Sequence, residues 1–386
     1  MKILIVPSWF PTSLHPESGS FFLDRAKILK NSGIDVIVAA PVMHSLKDGF
    51  HFNHSKYVEF LSDEDLPVYI FEFINIFPKM YSLQFKRYKK YTVSLLKRVI
   101  KKNGVPDIIF VNSSIWAGAA IMDMCNKLDV PLIISEHLKE FLISDGFSKL
   151  KKNLIEKTYE SCSGIIATSS ALKKSIINSF PKAKAKISII PNPVDEDIFV
   201  KKTTKRGNVV SIICISLFRS EKRLDLIIQS FYELLQSGEK AELTIVGDGP
   251  LKPKIIKQIQ ELNLSRFVYL KGYLEQNRIV EELQKSDLLI LASDLETFGV
   301  VLIEAQACGL PVIATDCGGP GDIVFSDTGI LVKPGSSIEL TNGLKQMIRE
   351  LNNYNSDNIR IKTVKKFGKH IYSDSIINLL NKIINR

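Results

Sequence analysis

SDLETFGVVLIEAQACGLPVIATDCGG, residues 293–319, sets two carboxylates, Glu296 and Glu304, on either side of a Phe298-Gly299 turn. LLILAS just before it (Leu288 to Ser293) reads as a buried strand, and PVIAT (Pro311 to Thr315) as another. Between them the pattern predicts a helix over Val300 to Cys308, so the two carboxylates bracket a strand-to-helix junction. A helix N-terminus offers unpaired N–H groups and the positive end of the macrodipole, which suits the amides of Phe298, Gly299 and Val300 to a phosphate. Helix side chains lean toward their own N-terminus, so Glu304 points back at the same ligand. A carboxylate repels phosphate but accepts hydrogen bonds from hydroxyls, and Glu296 on the preceding loop does the same. One phosphate seat flanked by two hydroxyl acceptors suits a nucleotide-sugar.

Outward from this stretch, strand and helix patterns alternate in both directions. Toward the N-terminus come helix Gln276 to Gln284, strand Phe267 to Leu270, helix Leu251 to Leu262, the turn Gly247 to Pro250, strand Glu242 to Val246, helix Leu224 to Leu235 and strand Val209 to Ile215. Helices Ile338 to Leu351 and Ser373 to Ile384 close the chain. Pro191-Asn192-Pro193-Val194-Asp195 and the charged KKTTKRGN after Val200 interrupt the alternation and read as a linker. Before it the series begins with strand Lys2 to Pro7, the loop PSWFPTSLHPESGS and helix Phe21 to Asn31. Strands Asp35 to Ala40, Val68 to Phe73, Asp107 to Val111, Pro131 to Ser135, Gly164 to Thr168 and Lys186 to Ile190 follow, with helices at Trp116 to Leu128, Leu150 to Ser161 and Ala171 to Phe180. Such alternation predicts an α/β fold of parallel sheets covered on both faces, with active loops at the strands' carboxyl ends. The expected organisation is two doubly wound Rossmann-like domains, 1–195 and 196–365, with a ligand cleft between them. The C-terminal helix, 366–386, is expected to pack back toward the first domain.

Length agrees, since 386 residues exceed one ordinary domain. Hydrophobic content of 45% supplies apolar material for two cores. The opening MKILIVPSWFP is too short an apolar run for a signal peptide and no stretch approaches a membrane span, so a cytoplasmic protein is expected. Five cysteines (Cys125, Cys162, Cys214, Cys308, Cys317) without metal or redox spacing read as reduced structural thiols. A net charge of +10 favours acidic partners such as nucleotides or anionic lipid. Its most basic stretch, FKRYKKYTVSLLKRVIKKN (Phe85 to Asn103), forms an amphipathic helix that suits either a solvated surface or the inner face of the cytoplasmic membrane. Lys149, Lys151, Lys152 and Lys157 add to that charge, and no nucleic-acid motif accompanies it.

These residues resemble retaining glycosyltransferase family 4, of GT-B architecture, in its bacterial surface-polysaccharide branch. The frame E-T-F-G-V-V-L-I-E-A-Q-A-C-G-L-P-V-I-A-T holds the family's paired glutamates at Glu296 and Glu304. IPNPVDEDIF (Ile190 to Phe199) is similar to its interdomain segment, with Pro193 where glycine is usual. LFRSEKRLDLIIQSF (Leu217 to Phe231), LTIVGDGP (Leu243 to Pro250), PSWFP with Gly19-Ser20-Phe21-Phe22, and SEHLKEF (Ser135 to Phe141) extend the likeness over nearly the whole chain. The resemblance implies that Glu296 bonds donor-sugar hydroxyls, Glu304 bonds the ribose and Lys222 binds the diphosphate. Thr297, Phe298, Gly299, Val300 and Gly247 would complete the donor site, Tyr273 and Leu274 would contact the base, Gly19 would close over the phosphates and His137 would approach the sugar. The family's arginine beside Lys222 is Leu217 here, and Arg219 or Arg223 is the expected replacement.

The implied activity moves a hexose or N-acetylhexosamine from a nucleotide-sugar to a glycan or lipid-linked glycan, with retention of configuration. A UDP-sugar is the favoured donor and a GDP-sugar the alternative. No cofactor or metal is expected, because Asp63-Glu64-Asp65 and Asp195-Glu196-Asp197, the two strings that imitate a metal-binding motif, lie away from the nucleotide turns. A nucleotide-sugar epimerase or phosphorylase on the same fold, or an inactive nucleotide-binding or membrane-scaffolding subunit, are the competing readings. The histidines His15, His44, His51, His54 and His370 receive no assignment.

Overall fold

The computed structural model describes residues 1–15, 19–46, 48, 55–62, 64–201 and 207–385. Asp63, His51, His54 and much of the KKTTKRGN linker lie outside the described residues. Two compact units divide the chain: Met1–Thr168 with Leu172–Ile190 and Ser373–Arg386, and Ser169–Ala171 with Pro191–Tyr372. The division thus falls at Ile190/Pro191 and again at Tyr372/Ser373, inside the last helix.

The first unit contains strands β1 (Lys2–Pro7), β2 (Asp35–His44), β3 (Lys56–Leu61), β4 (Pro67–Ile74), β5 (Ile108–Asn112), β6 (Leu132–Glu136), β7 (Gly164–Ala167) and β8 (Ile187–Ile189). Its helices are α1 (Ser20–Asn31), α2 (Tyr81–Asn103), α3 (Ala119–Leu128), α4 (Lys149–Ser161) and α5 (Ser170–Ser179), the last beginning at the border of the units. The strands form one sheet in the order β3-β4-β2-β1-β5-β6-β7-β8, parallel except for the antiparallel edge pair β3-β4. Continuous apolar runs, not alternating ones, build it: every residue of IIFVN in β5 is buried, as a strand covered on both faces requires.

The sequence reading misses one element of this unit and misplaces the start of another. Strand β3 carries no strand signal strong enough to stand out, because its KYVEFL is an edge segment half open to water. The helix expected from Trp116 starts only at Ala119, since Ser113 and Trp116 adopt positive φ values of 92° and 65°.

Helix α2 buries Tyr88, Thr92, Leu95, Leu96 and Val99, so its apolar stripe is spent on the core. Several of its cations are engaged: Lys89 bonds Asp123 at 2.6 Å, Lys102 pairs with Glu59, and the Arg98 guanidinium lies 3.8 Å from the Tyr57 ring centroid.

The second unit contains β9 (Val210–Ile215), α6 (Leu224–Gln236), β10 (Ala241–Val246), α7 (Lys252–Glu261), β11 (Val268–Gly272), α8 (Gln276–Lys285), β12 (Leu288–Leu291), α9 (Val300–Ala307), β13 (Val312–Thr315), β14 (Gly329–Val332), α10 (Ser337–Glu350) and α11 (Ser356–Phe367). Helix α12 (Lys369–Ile384) straddles the second border. The sheet is wholly parallel, in the order β11-β10-β9-β12-β13-β14. Alternate residues of one strand feed opposite cores: Ile212 and Cys214 join one apolar cluster with Leu288 and Ile290, whereas Ile213 joins the other with Leu289 and Leu291. The acidic string Asp195-Glu196-Asp197 is a clasp within this unit. Asp195 and Asp197 bond the Lys369 ammonium, and the Lys369 backbone N–H donates to Glu196 at 3.0 Å.

Each sheet has one place where the chain changes direction of winding. From β1 the next strand β2 lies on one side and β5 on the other, and β9 likewise has β10 and β12 as its neighbours. Loops that leave the carboxyl ends of such neighbouring strands diverge and open a crevice, the favoured ligand position in open α/β sheets.

Candidate functional site

At the switch point of the second unit, β9 ends at Ile215 and the chain passes through Leu217 to Arg223 before α6; β12 ends at Leu291 and passes through Ser293 to Gly299 before α9. The backbone N–H of Asp294 donates to the Glu221 carbonyl at 2.8 Å and joins the two loops. Lys222 from the first and Glu296 from the second meet as an ion pair, with side chains only 22% and 13% exposed. Ser293 Oγ donates to the same Glu296 oxygen at 2.9 Å. The loop after β13 completes the frame, for Gly319 N–H donates to the Glu296 carbonyl at 2.8 Å. Gly319 must lack a side chain there, since a Cβ would stand 2.3 Å from Phe298 Cα. The sequence brought out Glu296 and Lys222 but not Ser293 or Gly319. The only signal for Gly319 was the paired glycine ending the opening stretch.

Gly299, at φ 98°, caps α9 and turns the chain into it. Phe298 is buried against Phe367 at 5.7 Å, which anchors the turn by its side chain and leaves its backbone to shape the junction. Val300, Thr297 and Glu304 are half-buried on the same turn and helix. Gly247 follows β10 at φ 131°, where a Cβ would lie 1.9 Å from the Ser216 carbonyl oxygen. Its N–H donates to the Gly272 carbonyl at 2.8 Å, so the loops after β9, β10 and β11 are knit through backbone. Tyr273 just beyond is 55% exposed, with Leu274 half-buried beside it.

Of the two expected arginine replacements, Arg223 is already occupied. Its guanidinium bonds both oxygens of Asp225 at 3.1 Å and reaches Asp294 at 3.2 Å, and these carboxylates, Asp225 foremost, raise its pKa. Arg219 is exposed, as is Leu217 at 45%.

In the first unit the structure brings Gly19 and His137 to the start of α1. Gly19 sits at φ 74°, and a Cβ would meet Trp9 Cδ1 at 2.8 Å. His137 packs edge-on to Phe22 at 5.4 Å. Its Nε2 lies 3.2 Å from the Arg25 guanidinium and 2.9 Å from Ser135 Oγ. Arginine only donates, so Nε2 accepts and the ring proton resides on Nδ1. Burial, and then the Arg25 charge, hold the imidazole well below its usual pKa, so it is neutral at physiological pH. Arg25, buried and unmarked by any motif, is the contact of His137 that sequence reasoning missed.

Beside it Glu136 is fully buried, accepting from Ser114 N–H and Tyr159 OH, both at 2.9 Å, and burial raises its pKa to about 7. A carboxyl raised on folding stabilises the fold fully below its unfolded value of about 4.5, and that contribution is lost as the pH rises through 7. Glu136→Gln keeps the shape without the charge. It should match the wild type near pH 5 and exceed it at about pH 8.5 by on the order of 2–3 kcal/mol in urea unfolding; equal stability at the higher pH would refute the burial argument.

His15, His44 and Asp48 bring one potential metal-ligand atom each within 4.8 Å of one another, a cluster the scattered histidines of the sequence concealed. Within it His44 Nε2 bonds buried Glu72 at 2.8 Å, and Asp48 accepts from Ser45 Oγ at 2.8 Å. Burial pushes the thiols of Cys125, Cys162, Cys214 and Cys308 up to about 12 and that of Cys317 to about 11, which keeps all five protonated at neutral pH. Among the described residues, no helix is long and apolar enough to cross a membrane.

Two doubly wound units with a cation, a carboxylate and a glycine-capped helix at one switch point define the GT-B class. A family model described as Glycosyl transferases group 1 matches residues 195–366, and one described as Glycosyltransferase Family 4 matches residues 19–198. The chain belongs to glycosyltransferase family 4. It is 33% identical over 192 residues to the N-acetyl-alpha-D-glucosaminyl L-malate synthase of Bacillus anthracis, a match that covers 47% of this chain and only 50% of that protein. It is 23% identical over 364 residues to TuaC of Bacillus subtilis, whose name places it as a glycosyltransferase of teichuronic acid biosynthesis, covering 91% of this chain and 90% of that one. In fold it is similar to HepE of Anabaena in complex with UDP, with a TM-score of 0.76 at 20% identity over 99% of this chain and 100% of that one.

Proposed function

We propose that this glycosyltransferase moves a hexose or N-acetylhexosamine from a UDP-sugar to a glycan or lipid-linked glycan of a surface polysaccharide, with retention of configuration. The observation that carries the reading is the Lys222–Glu296 pair at the switch point, beside the Gly299-capped start of α9. A diphosphate arriving there takes the Lys222 ammonium, which neutralises charge as the nucleoside diphosphate departs. Glu296, released from the pair, receives the donor sugar's hydroxyls, and Glu304 those of the ribose. The first turn of α9 supplies backbone N–H groups to the phosphates.

The acceptor hydroxyl then attacks the anomeric carbon on the face from which the diphosphate leaves, and a phosphate oxygen takes its proton. No divalent cation is needed where Lys222 supplies the charge. The choice of UDP draws on HepE, described in complex with UDP and with UDP-glucose, and that of pathway on TuaC. The test is release of UDP from UDP-hexoses with and without an extracted glycan acceptor, in EDTA. Release that depends on the acceptor supports transfer, whereas sugar interconversion with donor alone, or a requirement for manganese, contradicts it.

The same reading puts the protein at the inner face of the membrane, attracted through the basic face of α2. Replacing Lys86, Arg87, Lys89 and Lys90 by Gln should weaken binding to phosphatidylglycerol vesicles in a salt-sensitive manner, by about 1 kcal/mol for each charge near the surface. Binding that is unchanged in a sedimentation assay would return α2 to ordinary surface.

A further inference from the structure

The first unit gathers a second set of ligand-bearing side chains, apart from the Lys222–Glu296 pair. His15 lies in the loop after β1, His44 ends β2 and Asp48 follows it, and one potential metal-ligand atom of each stands within 4.8 Å of the others. All three line a cavity of about 510 Å³, through which water and ions reach them. The other charged groups of its lining are Glu140 and Lys151, and the Lys151 ammonium lies 5.1 Å from the Tyr81 ring centroid. Carboxylates thus outnumber ammonium groups along this wall, in a chain whose net charge is +10.

The spacing is that of ligands rather than of an ordinary ion pair. His15 Nε2 is 3.4 Å from Asp48 Oδ2, beyond the usual hydrogen-bond range of about 2.7–3.2 Å. Two tetrahedral ligands on one zinc ion, with bonds of about 2.0–2.1 Å, stand about 3.4 Å apart. His15 is positioned by its backbone, which exchanges N–H···O bonds with that of Thr12 at 3.2 and 3.3 Å. Its ring centroid lies 6.2 Å from that of His44, and the two planes meet at only 26°.

The groups behind these side chains carry the argument further. Buried Glu72 bonds His44 Nε2 at 2.8 Å, with the two side chains 6% and 1% exposed. A carboxylate only accepts, so Nε2 bears the proton and the neutral ring has its lone pair on Nδ1. A carboxylate behind an imidazole is the pairing that orients metal-ligating histidines and raises their basicity. Asp48 is steadied in a similar way, accepting from Ser45 N–H at 3.0 Å and from Ser45 Oγ at 2.8 Å.

Two imidazoles and one carboxylate are a donor set that suits zinc, whereas magnesium and calcium take oxygen ligands. We propose that His15, His44 and Asp48 bind a zinc ion, His44 through Nδ1, with water from the cavity as the fourth ligand and Glu72 as the positioning residue behind His44. The ion ties the loop after β1 to the end of β2. It stands apart from the chemistry at Lys222 and Glu296, so the site is independent of the donor reading and its loss leaves UDP binding intact.

The whole chain, as wild type, His15→Ala, Asp48→Asn and Glu72→Gln, is stripped with EDTA, dialysed, and titrated by calorimetry with zinc chloride and with magnesium chloride. Thermal midpoints are followed in the same samples with zinc and, separately, with UDP. The expected result is one zinc per wild-type chain with a Kd of about 1 μM or tighter, and magnesium at least about 100-fold weaker. Zinc at a hundredfold excess over its Kd should raise the midpoint by roughly 5 °C. Glu72→Gln, which touches no ion, should weaken zinc by about 10–100-fold, and His15→Ala and Asp48→Asn by at least as much, with the UDP response of the wild type kept in all three. A Glu72→Gln protein that unfolds earlier in EDTA yet binds zinc as the wild type does overturns the positioning role. No zinc on the wild type, magnesium bound as tightly, or zinc held equally well by His15→Ala and Asp48→Asn overturns the site. If His15→Ala fails to fold, Asp48→Asn decides on the same criterion. A UDP response that appears only with zinc present overturns the ion's separation from the donor site.

Discussion

Glu296→Gln should lower sugar transfer by about 10²–10³-fold while UDP still binds within a few-fold of its wild-type affinity. The substitution keeps the side chain's shape and leaves an oxygen for the Ser293 hydroxyl, now at 2.9 Å from Glu296 Oε1. What it removes is negative charge. Cleaving a bond between an anomeric carbon and a phosphate leaves positive charge on the sugar ring, and a fixed carboxylate stabilises that charge more than it stabilises the ground state. A loss in kcat with little change in donor KM is therefore the expected pattern. Turnover near that of the wild type would remove Glu296 from the reaction.

Lys222→Ala should cost a comparable 10²–10³-fold in transfer but carry a different signature, because it also weakens UDP binding by about tenfold or more. The ammonium meets the ground-state diphosphate as well as the departing one, so both KM and kcat move. The change also strands Glu296, 13% exposed, without its cation. The double variant Lys222→Ala/Glu296→Gln should then lose much less than the product of the two single losses, as groups acting in one step do. Additive losses would mean that the two residues act in separate steps.

The pattern around Glu296, Gly299 and Glu304, proposed above as donor contacts, was legible because its residues lie close in sequence. Strand, turn, carboxylate and helix occupy one stretch, and continuous apolar runs such as LLIL mark the buried parallel strands on either side. Lys222 was legible through resemblance and not through chemistry, since a lone lysine near a helix start carries no pattern of its own. The partners that hold these residues were not legible. Ser293 and Gly319 matter through contacts that sequence separation hides, and a glycine whose Cβ would collide with Phe298 looks like any turn glycine. Arg223 looked available for a phosphate until Asp225 and Asp294 were seen around it.

In the first unit the failure at Trp116 is instructive. Residues 116–128 read as one helix because apolar spacing has no term for a backbone held at positive φ by Ser8 and by the Ser113–Ser135 bond. Local consistency breaks at this point. The cluster of His15, His44 and Asp48 was hidden for a simpler reason: His15 lies in the loop after β1, His44 ends β2 and Asp48 follows it.

The most direct measurement is the thermal unfolding of the wild-type chain with UDP, GDP, ADP and CDP, repeated with Lys222→Ala. A nucleotide at a hundredfold excess over its Kd stabilises the folded state by about 2.7 kcal/mol, which raises the midpoint by roughly 5 °C or more in a unit of this size. The expected result is a rise with UDP that shrinks in Lys222→Ala. No rise with any of the four nucleotides, or an equal rise in wild type and variant, would contradict a nucleotide-sugar site at the Lys222–Glu296 pair.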